Sequence, residues 1–120
     1  MKKLIGIAAL AVAAVVAVAA FRTSETVKFQ TTYQAVLLDN GQVYYGKVSG
    51  LGTAFPVLTD VFYVQSQVNP ETKAVSNILI RRGNEWHAPD RMVLNANHIV
   101  LVEPVGQNSK VAQLIAEAAK

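Results

Sequence analysis

The 120-residue chain contains no cysteine, which excludes disulfide bonds, a catalytic thiol and a zinc site built on thiolates. Charge and aromatic residues are also sparse: 16% of residues are charged, and there is one tryptophan. No phosphate-binding glycine loop, dinucleotide fingerprint or aspartate-rich calcium loop is present, and no serine lies in a Gly-x-Ser-x-Gly context. We therefore expect no enzymatic activity, no catalytic residue and no cofactor.

The formal net charge of +3 says little about the folded domain, because Lys2 and Lys3 supply two of those charges. From Arg22 onward the chain carries nine basic and eight acidic residues. Such a balance lacks the broad positive surface that holds a nucleic acid backbone. We therefore expect no nucleic acid partner.

One long apolar run is present, the 18 uncharged residues 4–21. As a helix it would span roughly 27 Å, at the short end of what crosses a bilayer. It also contains Ala17-Val18-Ala19, the small-x-small pattern of a signal-peptidase site. Residues 1–22 are therefore predicted to be a transmembrane anchor or a cleaved signal peptide. Lys2 and Lys3 favour a cytoplasmic amino terminus, which predicts a single-pass protein with an extracytoplasmic domain, or a secreted or periplasmic one after cleavage.

The chain after this run divides into three parts. Residues 23–32 are polar and predict a tether, and residues 33–104 carry strand patterns. Residues 105–120 predict a short amphipathic helix with Ser109 as its N-cap. A helix of this length is not stable alone in water, so its apolar stripe must dock on the β domain or on a partner.

A β-hairpin is predicted around Asn40-Gly41, because this dipeptide suits a two-residue type I′ turn between apolar runs. That turn pairs Leu38 with Val43, Leu37 with Tyr44 and Val36 with Tyr45, the last of these in the core. Both faces of the hairpin are then apolar near the turn. Leu37 and Tyr44 become candidates for an interface with a second subunit, the helix or lipid headgroups.

Further strands are predicted at residues 57–68, 75–81, 92–94 and 98–102, separated by turns rich in Asn, Gly and Pro. Gly46, in the middle of its strand, predicts a bend or a close backbone approach. The fold class is therefore mainly β. We expect a small barrel or roll of five to six antiparallel strands, preceded by the transmembrane helix and followed by the short α-helix.

Several segments of the chain resemble a family of uncharacterised small bacterial membrane-anchored proteins. They are Tyr33–Leu38, Asn40–Lys47, Leu58–Val61, Gly83–Glu85, His87 and Pro89. The resemblance implies no activity. It implies an uncleaved amino-terminal membrane helix followed by a β domain.

A second resemblance is to the Sm-like and SH3-like small barrels. Gly41, a second glycine five residues later and an apolar pair ahead of Asp60 are similar to the first motif of the Sm-like proteins. Those proteins form rings that bind RNA, so this resemblance implies a nucleic-acid-binding module as an alternative. The loop that would contact uridine is Gly52–Pro56 here, without the family's Asp and Asn, and Asn95–Asn97 replaces the usual Arg-Gly.

The polar connection Arg82–Arg91 is the predicted site of any ligand. Glu85, His87, Asp90 and His98 have metal-ligand chemistry, although the simpler interpretation is that Asn84 and Glu85 satisfy backbone donors while His87 is half exposed. Arg81 and Arg82 with Trp86 have the chemistry of an anion or carbohydrate patch. Because adjacent strand residues point to opposite faces, we expect the two arginines not to share one patch. Trp86 is expected to cover the core.

The leading hypothesis is a non-enzymatic assembly or scaffolding domain, held at the membrane by residues 4–21 and bound to its own copies or to another envelope protein. The alternative is a ligand- or metal-binding domain that uses the 82–91 loop. The residues expected to take part in binding are Leu37, Tyr44, Asn84, Glu85, Trp86 and His87.

Overall fold

A computed structural model of the protein describes residues 27–119. The predicted anchor or signal segment and the first part of the predicted tether lie outside the described residues. The elements are β1 (Gln34–Leu38), β2 (Val43–Ser49), β3 (Val57–Val68), β4 (Val75–Arg81), β5 (Arg91–Val93), a 3-10 turn (Ala96–His98), β6 (Ile99–Pro104) and α1 (Lys110–Ala118). None of the helices formed by residues 27–119 is long and apolar enough to cross a membrane.

The strands form one antiparallel sheet in the order β4-β3-β2-β1-β6, with β5 paired to β3 beside β4. This confirms a mainly β fold of five to six antiparallel strands followed by a carboxy-terminal helix. The sheet is open, since β4 and β6 at its two ends do not pair within the described part of the chain. Of the predicted barrel or roll, the barrel is therefore wrong, because the sheet does not close. Beyond Phe62, β3 pairs only with β4, so β4 follows a two-stranded extension instead of meeting β6.

The first hairpin forms, but its register differs by one residue from the prediction. Val36 pairs with Tyr44 and Leu37 with Val43. The turn has three residues: the Gly41 N–H donates to the Leu38 carbonyl at 3.0 Å, and the Leu38 N–H donates to the Gln42 carbonyl at 3.0 Å. Of the turn residues only Gly41 has a positive φ, 84°, as in a type I turn followed by a glycine bulge. A type I′ turn would have required a positive φ at Asn40 as well.

This shift of one residue exchanges the two faces of β2 relative to those of β1. Val36 and Tyr44 now share a face, and Tyr44 packs against a core formed by Val36, Leu58, Val61 and Leu94. Leu37 and Tyr45 lie on the opposite face. The predicted roles of Tyr44 and Tyr45 are therefore reversed.

Strand β3 bends where it passes Gly46. The pairing with β2 jumps from Tyr45–Phe62 to Lys47–Thr59, so Gly46 alone faces two residues of β3. One of them, Asp60, has a φ of 49°, and the result is a β-bulge. A Cβ on Gly46 would lie 2.8 Å from the Leu58 Cγ and 2.8 Å from the Thr59 carbonyl oxygen. The predicted close backbone approach at Gly46 is confirmed.

The bulge gives the sheet a second buried cluster on the face opposite the core. Phe62 is buried there, and its ring packs edge-on against Tyr33 with centroids 6.2 Å apart. Helix α1 begins at the predicted cap, where the Ala112 N–H donates to the Ser109 Oγ at 3.1 Å. Its buried Ile115 lines a groove together with Tyr33 and Val105, so the helix covers this part of the second face.

Candidate functional site

The outer edge of the sheet at β4 is unusually apolar for an exposed strand. Its first six residues, Val75 to Ile80, include no charged residue and no proline, the devices that usually protect an edge from pairing with another chain. Val75 is 65% exposed and Ile78 is 37% exposed. Within residues 27–119 this edge pairs with no further strand, so it offers free backbone groups beside exposed apolar side chains.

The extension formed by β3 from Tyr63 to Val68 and β4 from Val75 to Ile80, here called the ribbon, has one mainly apolar face, and its other face also carries Gln65 and Gln67. Val64 pairs with Leu79 and Val68 with Val75 on one face, and Ile80 pairs with Tyr63 on the other. A two-stranded ribbon is marginally stable in water without a further partner. Its exposed apolar surface is thus a candidate for contact with another molecule.

The opposite end of the sheet, β6, also has a free edge within residues 27–119. Val100 is 59% exposed and Leu101 is 39% exposed, and only Glu103 and Pro104 interrupt the apolar pattern of the strand. Leu37 pairs with Leu101 beside this edge, whereas Tyr44 packs against the core on the other face. The structure therefore does not bring Leu37 and Tyr44 into one surface.

A cavity lies between the end of β4 and the start of β5. Strands β4 and β5 pair with the same edge of β3, Arg81 opposite Phe62 and Arg91 opposite Thr59. Between them, the Arg82 N–H donates to the Val61 carbonyl at 2.8 Å. The remaining gap, here called the loop cavity, has a volume of about 380 Å³. It is lined by Asp60, Val61, Arg81, Arg82, Gly83, Asn84, Pro89, Asp90, Arg91 and Met92.

Arg81 and Arg82 point to opposite faces, as expected for neighbours in a strand. The guanidinium of Arg81 lies 5.7 Å from the ring centroid of Phe62, and that of Arg82 lies 5.8 Å from the ring centroid of Tyr44. Both nevertheless line the loop cavity, because the cavity opens through the edge of the sheet. The two guanidinium groups thus lie on opposite faces, as predicted, while both residues border the loop cavity.

The Asp60 carboxylate forms ion pairs with two cationic side chains on one side of the loop cavity. Its carboxylate lies 2.8 Å from the Lys47 Nζ and 3.5 Å from an Arg81 nitrogen. The hydrogen bond from Lys47 lowers the pKa of Asp60 below its ordinary value of 3.8, and the same contact raises the pKa of Lys47. The bulge thus holds an ionised carboxylate between two cations from neighbouring strands.

Replacing Lys47 with methionine is expected to move the pKa of Asp60 back toward 3.8, because the largest cause of its depression is removed. A carboxyl group whose pKa is lowered in the folded state stabilises the fold at pH values above its ordinary pKa. This stabilisation is lost as the pH falls through the pKa of the folded state. The variant should therefore lose less stability over that acid range than the original chain. Carboxyl NMR titration measures the pKa directly. Lys110→Met on α1 is the matched control, and an unchanged Asp60 pKa in Lys47→Met contradicts this account.

The loop residues singled out from the sequence separate into two groups. Glu85 accepts a hydrogen bond from the Gly83 N–H at 2.9 Å, which lowers the pKa of Glu85, and Asn84 lines the loop cavity. Trp86 and His87 lie at the loop tip, with Trp86 fully exposed. A turn closed by the Ala88 N–H on the Glu85 carbonyl at 2.8 Å carries them outward. The prediction that Trp86 covers the core was wrong.

The residues with metal-ligand chemistry are not brought together. His98 lies beside the first hairpin, with its Nδ1 2.7 Å from an Asp39 carboxylate oxygen. The carboxylate of Glu85 is held by the Gly83 N–H and lies 3.2 Å from the Arg82 Nε. Among residues 27–119, no group of three or more His, Cys, Asp or Glu side chains could hold a metal ion.

Sequence reasoning did not single out several residues that shape the loop cavity. Lys47, Asp60 and Met92 come from three other strands, so their proximity to the loop depends on pairing across the sheet. One signal was present in the sequence: Asp60 is the only charged residue within strand β3.

Comparison with known proteins assigns no family to the chain. No protein-family model matches it, and no curated protein shows a significant match. The two resemblances drawn from its motifs stay predictions.

Proposed function

We propose that this protein is a non-enzymatic assembly module, anchored in the cytoplasmic membrane by residues 1–22 with its β domain outside the cytoplasm. The free edges of the open sheet pair with strands of a second copy of the chain. The observation that carries the proposal is the edge strand β4, which has no charge or proline from Val75 to Ile80.

The exposed apolar residues at both ends of the sheet support the choice of a second copy as the partner. One edge ends at β4 and the other at β6, and both expose apolar side chains, Val75 and Ile78 on the first and Val100 on the second. Strand addition gives main-chain hydrogen bonds to each edge and buries these side chains between the copies. A pairing of β4 with β6 of the next copy would continue the sheet from one subunit to another.

Charge at the β4 edge is expected to break this assembly. Ile78→Lys places an ammonium group in the proposed contact, where it would be buried without a partner, and should weaken self-association by at least about tenfold. Gln113→Lys on the exposed side of α1 adds the same charge outside the contact and should leave association unchanged. Concentration-dependent sedimentation of the full-length chain in neutral detergent measures both. Equal association of Ile78→Lys and the original chain contradicts the proposal.

The absence of native cysteine allows the pairing to be mapped by oxidation of single-cysteine variants in membranes. If β4 pairs with β6 of the next copy, Ile78→Cys should cross-link when mixed with Val100→Cys. If β4 pairs with β4, Ile78→Cys should cross-link alone. Gln113→Cys is the control for random collision, and cross-linking of the edge variants no greater than this control contradicts pairing at either edge.

A further inference from the structure

The guanidinium of Arg82 is the least exposed of the three in the loop cavity, and its hydrogen bonding is incomplete. Its side chain is 20% exposed, and its buried Nε has no hydrogen-bond partner among the residues that the structure describes. Its Nη1 donates to the sulfur of Met92 at 3.4 Å, and a thioether is a weak acceptor. The nearest carboxylate, Glu85, lies 3.2 Å from the Nε but out of line with its N–H. A buried donor in this state indicates that an acceptor is missing.

The other two arginines of the loop cavity are held loosely. Arg81 lies 3.5 Å from Asp60, whose carboxylate is already engaged by Lys47 at 2.8 Å. Arg91 pairs with its neighbour Asp90 at 3.0 Å, but the two side chains are 58% and 77% exposed. Ion pairs this exposed contribute little stability, so both guanidinium groups are free to turn toward a ligand.

We propose that the loop cavity binds a phosphate group. Arg82, the least exposed of the three, donates to it, and Arg81 and Arg91 donate from the end of β4 and the start of β5. Three guanidinium forks from different elements match the several oxygens of a tetrahedral anion better than the two coplanar oxygens of one carboxylate. Lys47 neutralises Asp60, and the exposed Asp90 can turn into solvent.

The shape of the loop cavity indicates that the phosphate is part of a larger molecule. Its volume of about 380 Å³ exceeds what a single phosphate needs and falls in the range of small-ligand sites. Val61, Pro89 and Met92 give it an apolar wall. The ligand class is therefore a small phosphate ester, supplied either in solution or as a lipid headgroup, and its binding does not depend on the proposed assembly.

The test uses the full-length chain in neutral detergent, titrated with inorganic phosphate at constant ionic strength and followed by arginine-selective NMR. Saturable binding is expected, weakened on the order of tenfold in Arg82→Gln and severalfold in Arg91→Gln. Arg91 is exposed, so its variant keeps the test valid if Arg82→Gln does not fold. Lys110→Gln removes the same charge outside the cavity and should bind as the original chain does. The absence of saturable binding, or equal affinity in Arg91→Gln and Lys110→Gln, would overturn the proposal.

Two further titrations define the ligand. Acetate should bind at least tenfold more weakly than phosphate, and equal affinity would overturn the assignment of a phosphate group. If phosphatidylglycerol vesicles shift the Arg82 Nε resonance without added phosphate, the ligand is a lipid headgroup. A shift that requires added glycerol phosphate identifies a soluble ester. No shift in either would contradict a phosphate ester as the ligand class.

Discussion

Replacing Gly46 with alanine is expected to lower the free energy of unfolding by about 2 to 3 kcal/mol, in the upper part of the range for overpacked sites. The added methyl group would lie 2.8 Å from the Leu58 Cγ and 2.8 Å from the Thr59 carbonyl oxygen. The leucine side chain can move, but the carbonyl belongs to the backbone of β3. Relief would require β2 and β3 to separate between the Tyr45–Phe62 and Lys47–Thr59 pairs.

Gly106→Ala is the matched control for this prediction, because no atom lies within 4 Å of the position of its added Cβ. Its effect should stay within about 0.5 kcal/mol, as for most surface substitutions. Urea unfolding followed by circular dichroism measures both variants. Tryptophan fluorescence would report little, since Trp86 is already fully exposed in the folded state. Similar losses of stability in the two variants would contradict the close approach of β2 and β3.

Leu58→Ala is expected to lower the free energy of unfolding by about 2 to 5 kcal/mol, the range measured for large-to-small changes in a core. Leu58 has no exposed surface and lies in the main cluster with Val36, Val61 and Leu94. It is also held by strands on both sides, paired to Val48 and to Met92. The surrounding backbone therefore has little freedom to collapse into the space left behind.

The control for Leu58→Ala is Val93→Ala on the neighbouring strand β5, where the side chain is 62% exposed. We expect a loss of about 0.5 kcal/mol or less for this change. A shift of the urea midpoint with an unchanged slope shows a loss of stability, whereas a changed slope shows a change in the unfolded state. A loss below about 1 kcal/mol for Leu58→Ala would show that the core is not centred on this residue.

The strand positions could be predicted closely from alternation and turn residues. The bounds of β3 and β4 agree with the prediction, because each strand lies between segments rich in Gly, Pro or Asn. The register of the first hairpin could not be predicted in the same way. Asn40-Gly41 suits both a two-residue and a three-residue turn, and the choice depends on whether Asn40 adopts a positive φ. That choice then determined which face of the hairpin Tyr44 occupies.

The open sheet and the loop cavity depend on contacts between distant parts of the chain. Alternation predicts that β4 and β6 are strands but not whether they meet, so the pattern alone did not exclude a closed barrel. The loop 82–91 borders the loop cavity, whereas Asp60 enters it through the bulge in β3. Trp86 was misplaced because its hydrophobicity favours burial, while the turn at Ala88 carries it into solvent.

The absolute mass of the full-length chain in neutral detergent, measured by light scattering with the detergent mass subtracted, tests the assembly proposal most directly. One chain has a mass of 12.9 kDa. We expect a defined multiple of this mass for the original chain, and a shift toward 12.9 kDa for Ile78→Lys measured under the same conditions. A mass of one chain for the unaltered protein at every concentration would contradict assembly through the sheet edges.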